Sequence, residues 1–166
     1  MWTPKLALAL IGGYVMARAV LPSTDFENRD EFDPIIREAS ERYNVPALLV
    51  KAVIATESGF RQGITNGRTT ASGLMQVTKA AAKHVGADHG QLTSDPRAEI
   101  MAGTAYLSDM IDRFGLHDGI RAYWGGPGTV SQPNSVPQWM RQGSHEYVGK
   151  VARYYAALAL EPSAWV

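Results

Sequence analysis

The chain has 166 residues, 45% of them hydrophobic and 19% charged, which suits one globular domain with a real core and excludes a disordered polymer. Sixteen basic residues balance sixteen acidic ones, so no basic footprint points to nucleic acid and long-range attraction does not recruit the substrate. Cysteine is absent, which excludes disulfides, thiolate zinc sites and cysteine nucleophiles while fitting either redox compartment.

Met1-Trp2-Thr3-Pro4-Lys5 carries one positive charge, and Leu6 to Ala17 is an uncharged run that ends before Arg18. Ala17-Arg18-Ala19 has the small-x-small pattern of a cleavage site. Residues 1–21 therefore read as an export signal or signal-anchor that meets the inner membrane or the export machinery. The run is short of the roughly 20 residues that span a bilayer comfortably. Cleavage after Ala19 and retention as a marginal anchor are both open, with a buried core helix as the alternative. The absence of a polar face between Leu6 and Ala17 favours a membrane or a translocation channel. Residues 22–31 are polar and read as a linker, 32–160 as the folded domain, and 161–166 as a tail.

In that domain, Asp33-Pro34 predicts a helix start, with Asp as N-cap and Pro at the first helical position. Ile35, Ile36, Ala39 and Tyr43 give it an apolar face that ends near Asn44. After Val45-Pro46, the apolar run Ala47 to Ala55 leads into Thr56-Glu57-Ser58 and stops at Gly59. Residues 60–72 are polar and turn-rich and predict a loop, with a small hairpin possible in principle at Asn66-Gly67. Thr78 caps a short helix that stops at Gly86. Asp95-Pro96 repeats the cap-plus-proline start, and an amphipathic stripe from Ile100 to Phe114 ends at Gly115. Asp118 begins a helix toward Trp124, broken by Gly125-Gly126-Pro127-Gly128, and Ser144 starts a last helix. Six or seven helices with almost no strand signal indicate an all-α domain.

Glu57 stands out on chemical grounds. A carboxyl at the C-terminal end of an apolar helix is poorly solvated and faces the negative end of the helix dipole, so its pKa should rise. Such a group can serve as the general acid for a glycosidic oxygen. A solvated glutamate before a Gly stop is the plain alternative.

Glu57-Ser58, Gly73-Leu74-Met75-Gln76, Ala122-Tyr123-Trp124-Gly125-Gly126-Pro127-Gly128 and Tyr147-Val148 follow in fixed order, with Tyr106-Leu107 and Phe114-Gly115 between them. Over residues 30 to 156 this resembles the soluble lytic transglycosylase family, which shares the lysozyme-like fold with goose-type lysozyme. The resemblance implies cleavage of the β-1,4 bond between N-acetylmuramic acid and N-acetylglucosamine in peptidoglycan, leaving a 1,6-anhydro ring. Glycosidases of the ordinary kind need two carboxyl groups flanking the bond. None of Asp25, Asp30, Asp33, Asp88, Asp95, Asp109, Asp112 or Asp118 offers itself as that partner. In the resembling family the substrate's acetamido oxygen attacks the anomeric carbon instead, and the 6-hydroxyl closes the ring.

The resemblance assigns Met75, Gln76 and Tyr123 to the sugar cleft, with core packing as the alternative for Met75 and Tyr123. Tyr147 matches the family's late tyrosine, with a core reading equally open. Ser58 also falls in the matched segment, and its residue type suits a turn-shaping bond to backbone, since no histidine is placed to activate it. Two departures matter. Trp124 stands where the family has Asn, and it offers a ring to stack on a sugar face in place of paired amide hydrogen bonds. The loop after Phe60 is one residue longer, so the family's cleft serine falls on either Thr65 or Asn66. His145-Glu146 lacks a histidine four positions on, His84 and His89 sit in a turn-rich region, and Gly125-Gly126-Pro127-Gly128 lacks the lysine of a phosphate loop. No cofactor or metal is required, and a monomer is expected. Export to the periplasm of a Gram-negative bacterium fits either a phage endolysin or a wall-remodelling enzyme of a secretion apparatus, and the weakly apolar N-terminal run favours the endolysin.

Overall fold

The computed structural model describes residues 21–65 and 67–161. The expected export signal, apart from Leu21, lies outside them, as do Asn66 and most of the expected tail. Among the described residues no helix is long and apolar enough to cross a membrane. They form an all-α fold whose only extended pairing is two isolated bridges, Thr65 with Ser72 and Ser72 with Val77. That pairing places a small hairpin-like loop after the second helix. Two compact units divide the chain, Ser23–Tyr106 and one that takes in the described residues from Leu107 onward.

The first unit is organised around helix α2 (Ala47–Glu57), in which Leu48 to Ala55 are all buried. A helix that is apolar all round has nowhere to go but the core. Helix α1 (Asp33–Tyr43) packs on it through Ile36 and Ala39. The expected cap at Asp33 is not made. Phe32 holds the N-cap position without a side-chain bond, and Asp33 Oδ1 instead accepts from Lys51 Nζ at 2.6 Å. Lys51 is 3% exposed in the middle of α2, so its charge needs a partner more than the helix end needs a cap.

Asp30 supplies the second carboxylate on Lys51 at 2.9 Å. Hydrogen bonds from Arg29 and then Lys51 hold the Asp30 carboxyl down at about 2. Phe32 is buried, and the Phe26 ring lies 5.4 Å from that of Phe60. The segment expected as a linker is therefore bound to the fold by an ion pair and an aromatic contact.

Helix α3 (Lys79–His84) is capped by Thr78, whose Oγ1 accepts from Ala81 N. A further short helix, α4 (His89–Leu92), is capped by Asp88. His89 Nε2 lies 2.8 Å from Thr70 O and 3.1 Å from Val77 O, which gives that histidine a structural place across the loop. Asp95 Oδ1 accepts from Arg97 N and Ala98 N and so caps helix α5 (Pro96–Gly125) as expected.

Helix α5 breaks at Gly115, whose φ of 77° and ψ of 169° are not helical. Beyond the break, Asp118 is an interior helical residue rather than a cap, and its carboxylate takes Arg121 Nη1 at 2.9 Å. Arg121 also donates to Thr129 O and Ser144 Oγ. These bonds tie the end of α5 to α6 (Gly128–Ser131) and α7 (Gln138–Ala159). The last helix begins directly after Pro137, six residues before the expected start at Ser144. Ser144 lies within it, donating back to Arg141 O, so a residue type that favours caps is here satisfied inside the helix.

Candidate active site

Glu57 is the last residue of α2 and is half-buried. Its backbone neighbourhood is held by several bonds. Ser58 N and Ser58 Oγ both donate to Ile54 O, at 3.0 and 3.1 Å, and Gly59 N reaches Ile54 O and Ala55 O. Ser58 is 2% exposed, so its hydroxyl shapes the turn, as its residue type suggested. Gly59 and Phe60 then take left-handed φ values of 58° and 62°. For phenylalanine that conformation costs about 1–2 kcal/mol, offset here by a ring that is 1% exposed. The glutamate thus projects from a helix end whose continuation is fixed in one direction.

The Gly73-Leu74-Met75-Gln76 segment is a tight turn. Gly73 (φ 76°) and Gln76 (φ 48°) are both left-handed. Gly73 N donates to Ile64 O at 2.7 Å, and Gln76 Nε2 donates to Ile64 O and Gly73 O at 3.2 and 2.9 Å. The amide of Gln76 therefore braces its own turn, leaving Oε1 as its remaining polar atom. Met75 is fully buried, with Sδ 3.9 Å from Thr104 Oγ1 and packed against Gly103. Its side chain lies in the core, the alternative that residue type had left open. Thr65 is exposed beside this turn.

The turn also meets a carboxyl group that is not among the aspartates considered as a second acid. Glu99 is 2% exposed, and its Oε1 accepts from Met75 N at 2.8 Å. Burial pushes its pKa up to about 7, against the opposing pull of the Leu74 and Met75 backbone N–H groups. The signal was in the sequence. Glu99 falls on the same helical face as Ala102, Gly103 and Tyr106, a carboxylate on an apolar stripe.

In the second unit, Tyr123 is half-buried and Trp124 is 38% exposed at the end of α5. The Trp124 ring stacks on that of Tyr147 from α7, with centroids 6.2 Å apart and 29° between planes. Tyr147 itself is buried. The tip of the Trp124 ring also abuts Gly143, where an added Cβ would stand 2.5 Å from Cη2. Gly125 is required for a similar reason, since a Cβ there would meet Thr129 Cγ2 at 2.5 Å. The glycines after Trp124 thus let α6 close against the helix end. Among the described residues no cluster of His, Cys, Asp and Glu is placed to hold a metal.

The Transglycosylase SLT domain family matches residues 34–143, and the chain belongs to that family. Among curated proteins it is 38% identical over 92 residues to the "Transglycosylase" of Enterobacteria phage PRD1, covering 55% of this chain and 33% of that one. It is 36% identical over 114 residues to a "Membrane-bound lytic murein transglycosylase C" of Pectobacterium atrosepticum, covering 58% and 32%. A protein of the same name from Serratia proteamaculans is 31% identical over 134 residues, covering 70% and 37%. The chain therefore spans about a third of the length of these relatives.

Proposed function

We infer that the chain is a lytic transglycosylase acting on peptidoglycan, cleaving between N-acetylmuramic acid and N-acetylglucosamine and leaving a 1,6-anhydro end. The observation that carries the reading is Glu57, a half-buried carboxyl at the end of α2, whose Leu48 to Ala55 are all buried, inside the matched family region. Glu57 gives its proton to the leaving glycosidic oxygen while the substrate's acetamido oxygen attacks the anomeric carbon. The same carboxylate then takes the proton of the 6-hydroxyl as the ring closes. Gln76 Oε1 and Thr65, with Asn66 as the other candidate beside it, offer polar contacts to the sugar. Tyr123 and the exposed Trp124 offer a hydroxyl and a stacking face. Ser58 shapes the turn after Glu57, Met75 anchors the turn of Gln76 against Gly103, and Tyr147 backs the Trp124 ring.

The protein names of the relatives, one from a phage and others called membrane-bound, accord with delivery of this activity to the periplasm of a Gram-negative host through residues 1–21. Mass spectrometry of digested cell walls tests the reaction. Anhydro products, lighter than hydrolytic ones by one water, are expected. Predominantly reducing-end products would make the chain a goose-type lysozyme-like hydrolase instead. Glu57→Gln keeps the shape but cannot exchange a proton, so turnover should fall by ~10²–10⁴-fold while binding persists. A parent chain that binds wall without turnover would be an idle binding module.

A further inference from the structure

The turn that carries Gln76 rests on Glu99, a group the proposed chemistry does not use. Glu99 Oε1 accepts from Met75 N at 2.8 Å. The approach is close on the other side as well, because a Cβ on Gly73 would collide with both carboxyl oxygens. Gly73 and Gln76 are held left-handed on either side of this contact, and Gln76 Nε2 closes the turn onto Gly73 O. Carboxyl, backbone and amide therefore form one braced unit.

A cavity of about 190 Å³ flanks the carboxyl, lined also by Gln62, Leu92, Thr93, Ser94 and Pro96. That is ample for water to reach the acid. None of these lining residues titrates, and the turn itself contributes only glycine, leucine, methionine and glutamine. On α5, Asp95 is engaged with the Arg97 and Ala98 N–H groups, and Arg97 is paired with Glu38 of α1. Among the described residues no ionised side chain therefore competes with the turn's N–H groups for Glu99.

We propose that Glu99 is a positioning residue for the reaction, holding the Gly73–Gln76 turn and with it the Gln76 side chain in the geometry that receives the sugar. The role in the reaction rests on the transglycosylase reading above. Burial holds the carboxyl up to about 7. Near neutral pH it passes from an acid with one free acceptor oxygen to a carboxylate with two, and the turn tightens as the proton leaves.

The test follows the Met75 amide signal of the full chain by NMR from pH 5.5 to 8.5, in the parent and in Glu99→Gln. A titration with midpoint near 7 is expected in the parent and none in the variant. On peptidoglycan, Glu99→Gln should raise KM about tenfold while kcat changes much less, because a charge-assisted bond to the turn is lost and the proton carrier is untouched. A Met75 amide that does not titrate, one whose titration survives in the variant, or an unchanged KM overturns the assignment. A parent chain inactive on peptidoglycan overturns the transglycosylase reading and the role in the reaction with it. An active parent with a silent Met75 amide overturns the Glu99 assignment alone.

Discussion

Replacing Phe26 by alanine should loosen the end of α2 from outside it. The Phe26 ring lies 5.4 Å from that of Phe60 at 46°, and its Cε1 would stand 3.3 Å from a Cβ on Gly59, two residues after Glu57. Full burial of a phenylalanine side chain is worth about 1.5–3 kcal/mol. Phe26 is only half-buried, so about half of that applies. The tilted aromatic pair adds about 0.5–1 kcal/mol. The loss comes to about 2 kcal/mol, which for a chain of this length lowers Tm by about 4–8 °C. Thermal unfolding followed by far-UV circular dichroism measures it, with turnover of purified peptidoglycan assayed alongside. Activity should fall at temperatures well below the melt, because the left-handed Gly59-Phe60 turn loses its cover. A Phe26→Ala chain melting within 1 °C of the parent would show that residues 22–31 are a tether after all.

Lys51→Ala should cost about 3–5 kcal/mol in urea unfolding, because it leaves the partly buried Asp33 without its cation, whereas Lys51→Met refills the volume and should cost far less. Equal losses would mean that the charge does not matter. Glu99 makes stability depend on pH with a definite sign. Its folded value of about 7 lies above the ordinary 4.5, so between those values the folded chain keeps a proton that the unfolded chain has released. Stability is therefore greatest below pH 4.5 on this account and falls by about 3 kcal/mol as pH rises to about 7. Glu99→Gln should flatten that fall, and a parallel fall in both chains would assign it elsewhere. Gly143→Ala should leave Tm unchanged or lower it despite a helix-propensity gain of about 1 kcal/mol, because the new Cβ meets Trp124. In a Trp124→Ala background the same change should raise Tm, and a rise in both backgrounds would refute the contact.

The helix that ends at Glu57 was legible because its signals are local. An apolar run interrupted only by Lys51, a glutamate at its end and a glycine two residues on describe α2 and its stop without any knowledge of the fold. The break at Gly115 was legible for the same reason, since only a residue without Cβ adopts its φ readily. Distant partners were harder to see. Asp33 looks like a cap until Lys51, eighteen residues on, is found buried beside it. Ser144 looks like a helix start because serine favours caps, yet Pro137 had already opened that helix. Glu99 is hard to read from sequence because its partner is the Met75 backbone, twenty-four residues earlier, and no side chain marks the pairing. Phe26 reads as a stray aromatic in a polar stretch until the Phe60 ring supplies its surface.

The Trp124 ring and the bare backbone at Gly143 behave as one inherited character spread over two positions. In this pose a side chain at 143 meets the ring, so position 143 is constrained for as long as Trp124 stands. A lineage that acquires tryptophan at 124 in this pose by single steps therefore does so most readily with glycine already at 143. The return journey has to begin with loss of the tryptophan. Grafting the tryptophan into a relative that carries a side chain at the position of Gly143 should seat the ring poorly, whereas the pair should travel intact.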